Sequence, residues 1–172
     1  MIEIFDRNTM ELLFIYPSDT FRGKDLRELP IKAANLSDQD LEEAIFEGMD
    51  LEDTEFSNAN LRKANFKNAI LTEAILNKAQ AQRAEFNGAK CNSSTWAGAD
   101  ISDADFTGAD LEHANLKDVV AHRTKFISLK SLKGAILWNA DCSQADFSGT
   151  DLKKVGDIDK AGLILDEAVG VA

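Results

Sequence analysis

The chain is poor in most of the features that announce a function. It has two cysteines and two histidines in 172 residues. It has no long apolar run, which excludes a membrane-spanning helix. The opening Met1-Ile2-Glu3-Ile4-Phe5 has neither the basic region nor the cleavage site of a signal peptide, so a cytoplasmic location is expected. Positive charge is in deficit: 19 Lys and Arg stand against 30 Asp and Glu, for a net charge of −11. Binding to nucleic acid needs Lys and Arg to neutralise phosphates, so direct nucleic-acid binding is not expected. An acidic surface also keeps an elongated protein soluble. No Ser-His-Asp set, phosphate-cradling Gly loop or pair of catalytic carboxylates stands out. No enzymatic activity and no cofactor or metal are therefore expected.

What the chain has instead is a period. Between Leu51 and Leu116 a small residue, a polar residue and a large apolar residue recur every five positions. Ala59-Asn60-Leu61, Ala64-Asn65-Phe66, Ala84-Glu85-Phe86, Ala99-Asp100-Ile101, Ala104-Asp105-Phe106, Ala109-Asp110-Leu111 and Ala114-Asn115-Leu116 are its clearest copies. Five fits neither the α-helix at 3.6 nor the flat strand at 2. A unit this short cannot bury a face alone, so it must stack on copies of itself. Stacked layers pair backbone at ~4.8 Å. Walls that approach closely need a small residue beside each large one.

These residues resemble the pentapeptide-repeat family, whose consensus is close to Ala-(Asp/Asn)-Leu-X-X. The resemblance runs from about Phe21 to Leu152. It implies an all-β fold: a right-handed quadrilateral parallel β-helix, a solenoid in which each pentad is one side and four pentads make one coil. The large residue and the small one two places before it point inward. Twenty-two pentads from Phe21 to Phe126 and five from Leu132 to Leu152 give about seven coils. The rod is then roughly 33 Å long before its caps.

With twenty residues per coil, one wall is Leu26, Phe46, Phe66, Phe86, Phe106 and Phe126, facing Leu36, Phe56, Leu76, Trp96 and Leu116. The other pair sets Phe21, Leu41, Leu61, Ala81, Ile101 and Ala121 against Ile31, Leu51, Leu71, Cys91 and Leu111. Within one coil Ala81 and Cys91 offset Phe86 and Trp96, as close packing requires. After Phe126 the pattern slips by one residue, which places a one-residue bulge in 127–131. Phe147 then rejoins the phenylalanine wall and Cys142 follows Ala121. Both cysteines point inward on opposite walls, more than two coils apart, and so are expected to be buried free thiols. His113 and His122 fall at outward positions with no second ligand at a metal-like spacing.

Three segments are expected: an N-terminal β-hairpin cap over 1–17, the repeat over 18–154, and a C-terminal cap over 155–172. Ile2-Glu3-Ile4-Phe5 and Leu12-Leu13-Phe14-Ile15-Tyr16 read as strands around the turn formers Asp6-Arg7-Asn8-Thr9. The cap over 155–172 is read as a short amphipathic helix, since Ala161, Ile164, Leu165 and Ala168 are spaced i, i+3, i+4, i+7.

Recognition is left to the surface. Outward positions carry apolar residues that a polar exterior does not explain, and Ile136 and Trp138 flank the inward Leu137. These two, with Leu163 and Leu165 of the C-terminal segment, are the candidate interface. The expected role is a rigid scaffold that binds a protein partner, as a monomer or as a homodimer through its C-terminal end. The resemblance implies an alternative: some members mimic duplex DNA and bind DNA gyrase or topoisomerase IV, inhibiting or protecting them. The acidic balance suits that role. The interleaving of Arg62, Lys63, Lys67, Lys78, Arg83, Lys117 and Arg123 among the acids does not.

Overall fold

Each five-residue unit makes one side of a square tube, and four units close a coil in this computed structural model, which describes residues 1–156 and 158–171. Within a unit the local geometry repeats. The N–H of Ala64 closes a turn on the carbonyl of Leu61 at 3.0 Å, and the third residue of that turn, Lys63, sits at φ 55°. A turn of this kind demands positive φ at its third position. Gly88, Gly98 and Gly108 meet that demand freely, while Lys63, Arg83, Asp103 and Arg123 adopt it despite a Cβ. The polar residue before the inward one closes the corner: Asp105 Oδ1 accepts the Thr107 N–H at 2.9 Å, and Asn65 Oδ1 accepts that of Lys67 at 3.0 Å.

Coils are joined by parallel pairing. Leu61 N–H donates to Gln80 O at 2.8 Å, and Asn65 N–H donates back to Ala44 O at 2.9 Å. The bridges step by twenty residues, Asn65 to Glu85 to Asp105. Inside, Phe46, Phe66, Phe86, Phe106, Phe126 and Phe147 form one column. Centroids of neighbouring rings are 4.6–5.5 Å apart, with interplanar angles from 8° to 27°. Phe56 and Trp96 meet this column edge-on from the opposite wall, with centroids 5.1–5.7 Å away. Leu61, Leu71, Cys91 and Leu111 are also fully buried, as are the alanines of the small column.

Three fully buried positions of that small column carry a hydroxyl, and each hydroxyl has a partner. Thr54 Oγ1 donates to Ile31 O at 3.0 Å, and Thr124 Oγ1 to Ile101 O at 2.8 Å. Ser94 Oγ donates to Cys91 O at 2.6 Å and accepts the indole N–H of Trp96 at 2.7 Å. Ser94 therefore stands where the repeat prefers Ala because a buried tryptophan needs an acceptor.

The chain slips at Lys130–Ser131. Lys130 N–H donates to Ala109 O, while Leu111 N–H donates to Ser131 O, both at 2.9 Å, so two residues oppose Asp110. Thr150 from the next coil fills the gap. Its hydroxyl accepts the Leu129 N–H at 2.9 Å and donates to Phe126 O at 2.5 Å.

At the N-terminal end β1 (Ile2–Phe5) pairs antiparallel with β2 (Leu12–Tyr16), in the register Ile2 to Tyr16. Asp6 Oδ1 receives the N–H groups of Asn8 and Thr9 in the turn. Asn35 N–H donates to Phe5 O, and Arg7 N–H to Ala33 O, both at 2.8 Å. Ile4 is buried over the first coil, and Tyr16 packs on Phe21 with ring centroids 4.7 Å apart.

The C-terminal segment corrects the sequence reading. No α-helix forms among the described residues of 155–172; residues 157 and 172 of that expected cap lie outside them. Short 3-10 turns at Leu152–Lys154 and Ile158–Lys160 are followed by a return to the pentad geometry. Leu137, Cys142 and Phe147 donate to Asp159 O, Ile164 O and Val169 O at 2.7–2.9 Å. The bonded partner lies 22 residues ahead here and 19 ahead in the regular coils, so three extra residues separate this partial coil from the rest. Gly162 at φ 73° and Gly170 at φ 72° are poor helix residues and take the left-handed turn readily. Among the described residues no helix is long and apolar enough to cross a membrane.

If Ser94 is the acceptor for Trp96, then Ser94→Ala restores the repeat consensus yet destabilises the protein by about 1–3 kcal/mol. Denaturant titration measures this, and a neutral or stabilising result would refute the assignment.

Candidate functional site

The interior is closed chemistry. Cys91 and Cys142 are fully buried, and burial pushes the Cys142 thiol up to about 12 and that of Cys91 higher still. Neither is a nucleophile at neutral pH. No group of three or more His, Cys, Asp and Glu among the described residues is arranged to hold a metal ion. The surface is where chemistry remains.

Stacking turns positions twenty apart into columns, and the columns are laced by ion pairs. Arg123 binds Asp103 through two bonds of 2.7 and 2.9 Å. Lys63 meets Glu43 at 2.8 Å, Lys67 meets Glu85 at 2.8 Å, and Lys125 meets Asp105 at 3.5 Å. At the bulge Lys130 reaches Asp110 at 3.3 Å. His122 Nε2 lies 2.9 Å from Asp141 Oδ2. Exposed pairs of this kind contribute about 0–1 kcal/mol each, so their main effect is on the surface potential.

Among the described residues, two depressions stand out along the columns. The first, about 330 Å³, lies on the face behind Leu61, Ala81, Ile101 and Ala121. It is walled by Arg62, Lys63, Arg83 and Arg123 with Glu42 and Asp103. The second, about 400 Å³, lies at the C-terminal end and is apolar. Ile136 and Trp138 form one side of it, and Asp159 and Ala161 form the other. The three extra residues after Leu152 precede its far wall. Trp138 is 45 % exposed, and Lys117 Nζ sits 4.4 Å over its ring.

Of the four candidate interface residues, the structure brings together Ile136 and Trp138. Leu163 and Leu165 are half-buried against the core, and Leu165 follows Cys142 on its wall. Ile164, Val169 and Val171 are exposed large apolar residues of that segment. The basic depression was not foreseen. Its signal in the sequence is the doublet that recurs at twenty-residue steps, Arg62-Lys63, Gln82-Arg83, Ser102-Asp103 and His122-Arg123.

The fold and surface define a solenoid repeat protein: a sealed apolar tube that carries its variable residues outside. The chain belongs to the pentapeptide-repeat family. The family model, described as pentapeptide repeats, matches in eight copies over residues 32–68, 50–88, 84–120 and 131–155. Members fold as right-handed β-helices. Among solved structures the chain resembles trypsin-treated QnrB1 R167E, described as a plasmid-mediated fluoroquinolone resistance protein. Identity is 22 %, with 80 % of this chain and 70 % of that one covered and a TM-score of 0.68. It also matches HetL of the cyanobacterium Nostoc, described as involved in heterocyst differentiation regulation. There identity is 23 %, coverage 86 % and 83 %, and the TM-score 0.38. A pentapeptide repeat protein of the Arabidopsis thaliana thylakoid lumen matches at 30 % identity over 62 % of this chain and 63 % of that one, with a TM-score of 0.27. No curated protein sequence matches the chain.

The surface carboxylates set a pH dependence. The Arg123 guanidinium holds Asp103 below its ordinary value of 3.8, the Ser143 and His122 side chains do the same for Asp141, and the Ser148 hydroxyl and N–H for Asp146. A depressed carboxyl stabilises fully above its unfolded value and loses that contribution as pH falls through its folded value. The melting temperature should hold level from about pH 7 to 5 and fall progressively below about pH 4. A melting temperature indifferent to pH down to about 2 would contradict these assignments.

Proposed function

We propose that the protein is a non-enzymatic cytoplasmic scaffold that binds a protein partner through the end of its tube carrying Ile136 and Trp138. The observation that carries this reading is the apolar groove beside Trp138. An indole 45 % exposed, bordered by Ile136 and Ala161, is an aromatic anchor of the kind that dominates protein interfaces. Lys117 packs over one face of the ring, and the indole remains 45 % exposed. Ile164 and Val169, exposed on the last partial coil, are where a second copy would stack if the protein dimerises through this end.

The alternative is a duplex-DNA mimic that engages DNA gyrase or topoisomerase IV. The net charge of −11 and the fold shared with QnrB1 favour it. The ion-paired cations Lys63, Lys67, Arg123, Lys125 and Lys130 weigh against it, because a mimic needs a continuous negative stripe.

Trp138→Ala separates the two readings. The scaffold reading expects partner capture from the native cell to be lost while stability changes by no more than about 0.5 kcal/mol. A melting temperature that collapses would mean that Trp138 is part of the packing. Inhibition of gyrase supercoiling by micromolar protein, unaffected by this substitution, would replace the scaffold with the mimic.

A further inference from the structure

The basic depression is out of keeping with the rest of the chain. In a protein of net charge −11 it collects four cations against two carboxylates. Like charges gathered at one place repel, and neighbours here only partly compensate. Lys63 is engaged by Glu43, and Arg123 takes both oxygens of Asp103. Arg62 has only the side-chain carbonyl of Asn60, at 3.1 Å. Among the described residues no carboxylate comes within 4.0 Å of the guanidinium of Arg62 or of Arg83. Lys78, by contrast, stands alone at its corner beside Gly98.

A second observation points the same way. Gln82 lies in this depression, one coil beyond Arg62 and next to Arg83. Its Nε2 donates to Asp100 Oδ2 at 2.7 Å, which fixes the orientation of the amide, since a carboxylate requires a donor. Its Oε1 is buried and has no hydrogen-bond partner. An acceptor closed to solvent is closed to an incoming N–H as well, so Gln82 acts as a neutral wall between the arginines, held in place by Asp100. The site thus asks for negative charge.

We propose that this depression docks an acidic segment of a partner protein in extended form, with side-chain carboxylates on Arg62 and Arg83. An extended peptide sets alternate side chains on one face, and a shallow open cleft on the side of a rod admits it. Arginine forks suit carboxylates in two-bond geometry. Nucleic acid is a poor fit: stable binding draws on many phosphate contacts, and beyond this patch the surface is acidic. The site lies on a different face from Trp138 and does not depend on that groove.

Fluorescence anisotropy with a short labelled peptide of alternating Glu and Ala tests this on the full chain. Arg83→Gln and Arg62→Gln should each weaken binding about tenfold, as loss of a charge-assisted hydrogen bond implies. Lys78→Gln and Trp138→Ala should leave it unchanged, which keeps this result separate from the scaffold reading. Arg83 makes no ion pair, so its variant should keep the wild-type melting temperature. No binding at about 1 mM peptide would overturn the proposal. So would equal weakening by Lys78→Gln, or tighter binding of a single-stranded oligonucleotide than of the peptide.

Discussion

The hydrogen bond from each coil to the next is the interaction on which the rest of this molecule depends. Leu61 N–H to Gln80 O, Lys63 N–H to Gln82 O and Asn65 N–H to Ala44 O recur with every pentad. A side only five residues long makes no useful sheet alone, so three of its four backbone N–H bonds go to another coil and the fourth closes its own turn. Pairing on all four sides at once brings opposite walls close enough for Phe46 and Phe56 to touch edge-to-face at 5.7 Å. That narrowness favours small residues in the second inward column, where alanine predominates. It also accounts for the exceptions, because Thr54, Ser94 and Thr124 each bring a hydroxyl that finds its own partner.

A tube sealed in this way leaves no interior for a ligand, and its biology is confined to the outside. The same stacking that fills the core arranges the outside into columns, so a charge at one corner faces the charge twenty residues later. Lys63 under Arg83 and Asp103 under Arg123 are consequences of the period as much as Phe66 under Phe86 is. Interruptions of the period make surface relief. The single extra residue at Lys130–Ser131 is absorbed by Thr150, whereas the three extra residues after Leu152 precede the apolar groove beside Trp138.

The walls were legible from the sequence because five-residue phasing is carried by large and small side chains together. The slip near Lys130 was legible because clean pentads resume after it. The C-terminal segment was not. Ala161, Ile164, Leu165 and Ala168 satisfy a helical spacing, and three extra residues hide that Leu163-Ile164-Leu165 and Ala168-Val169-Gly170 resume the five-residue period in a phase displaced by three. Trp138 could be marked as an outward apolar residue. Its groove could not, since Asp159 and Ala161 reach it only through the irregular connection. The basic depression was missed for another reason: Arg62 and Arg83 look interspersed along the chain and become neighbours only once the twenty-residue step is applied to charges as well as to the core.

Amide hydrogen exchange read residue by residue tests the central claim most directly. In nearly every pentad four backbone N–H groups are bonded to backbone, and the fifth, on the residue after the inward one, has no backbone partner and at most a side-chain acceptor, as with Thr107 on Asp105 and Lys117 on Asn115. The tube therefore predicts protection that repeats every five residues from Leu41 to Phe126, with the residue after each inward side chain exchanging first. Protection that is uniform, that alternates every second residue or that follows a helical period would contradict it.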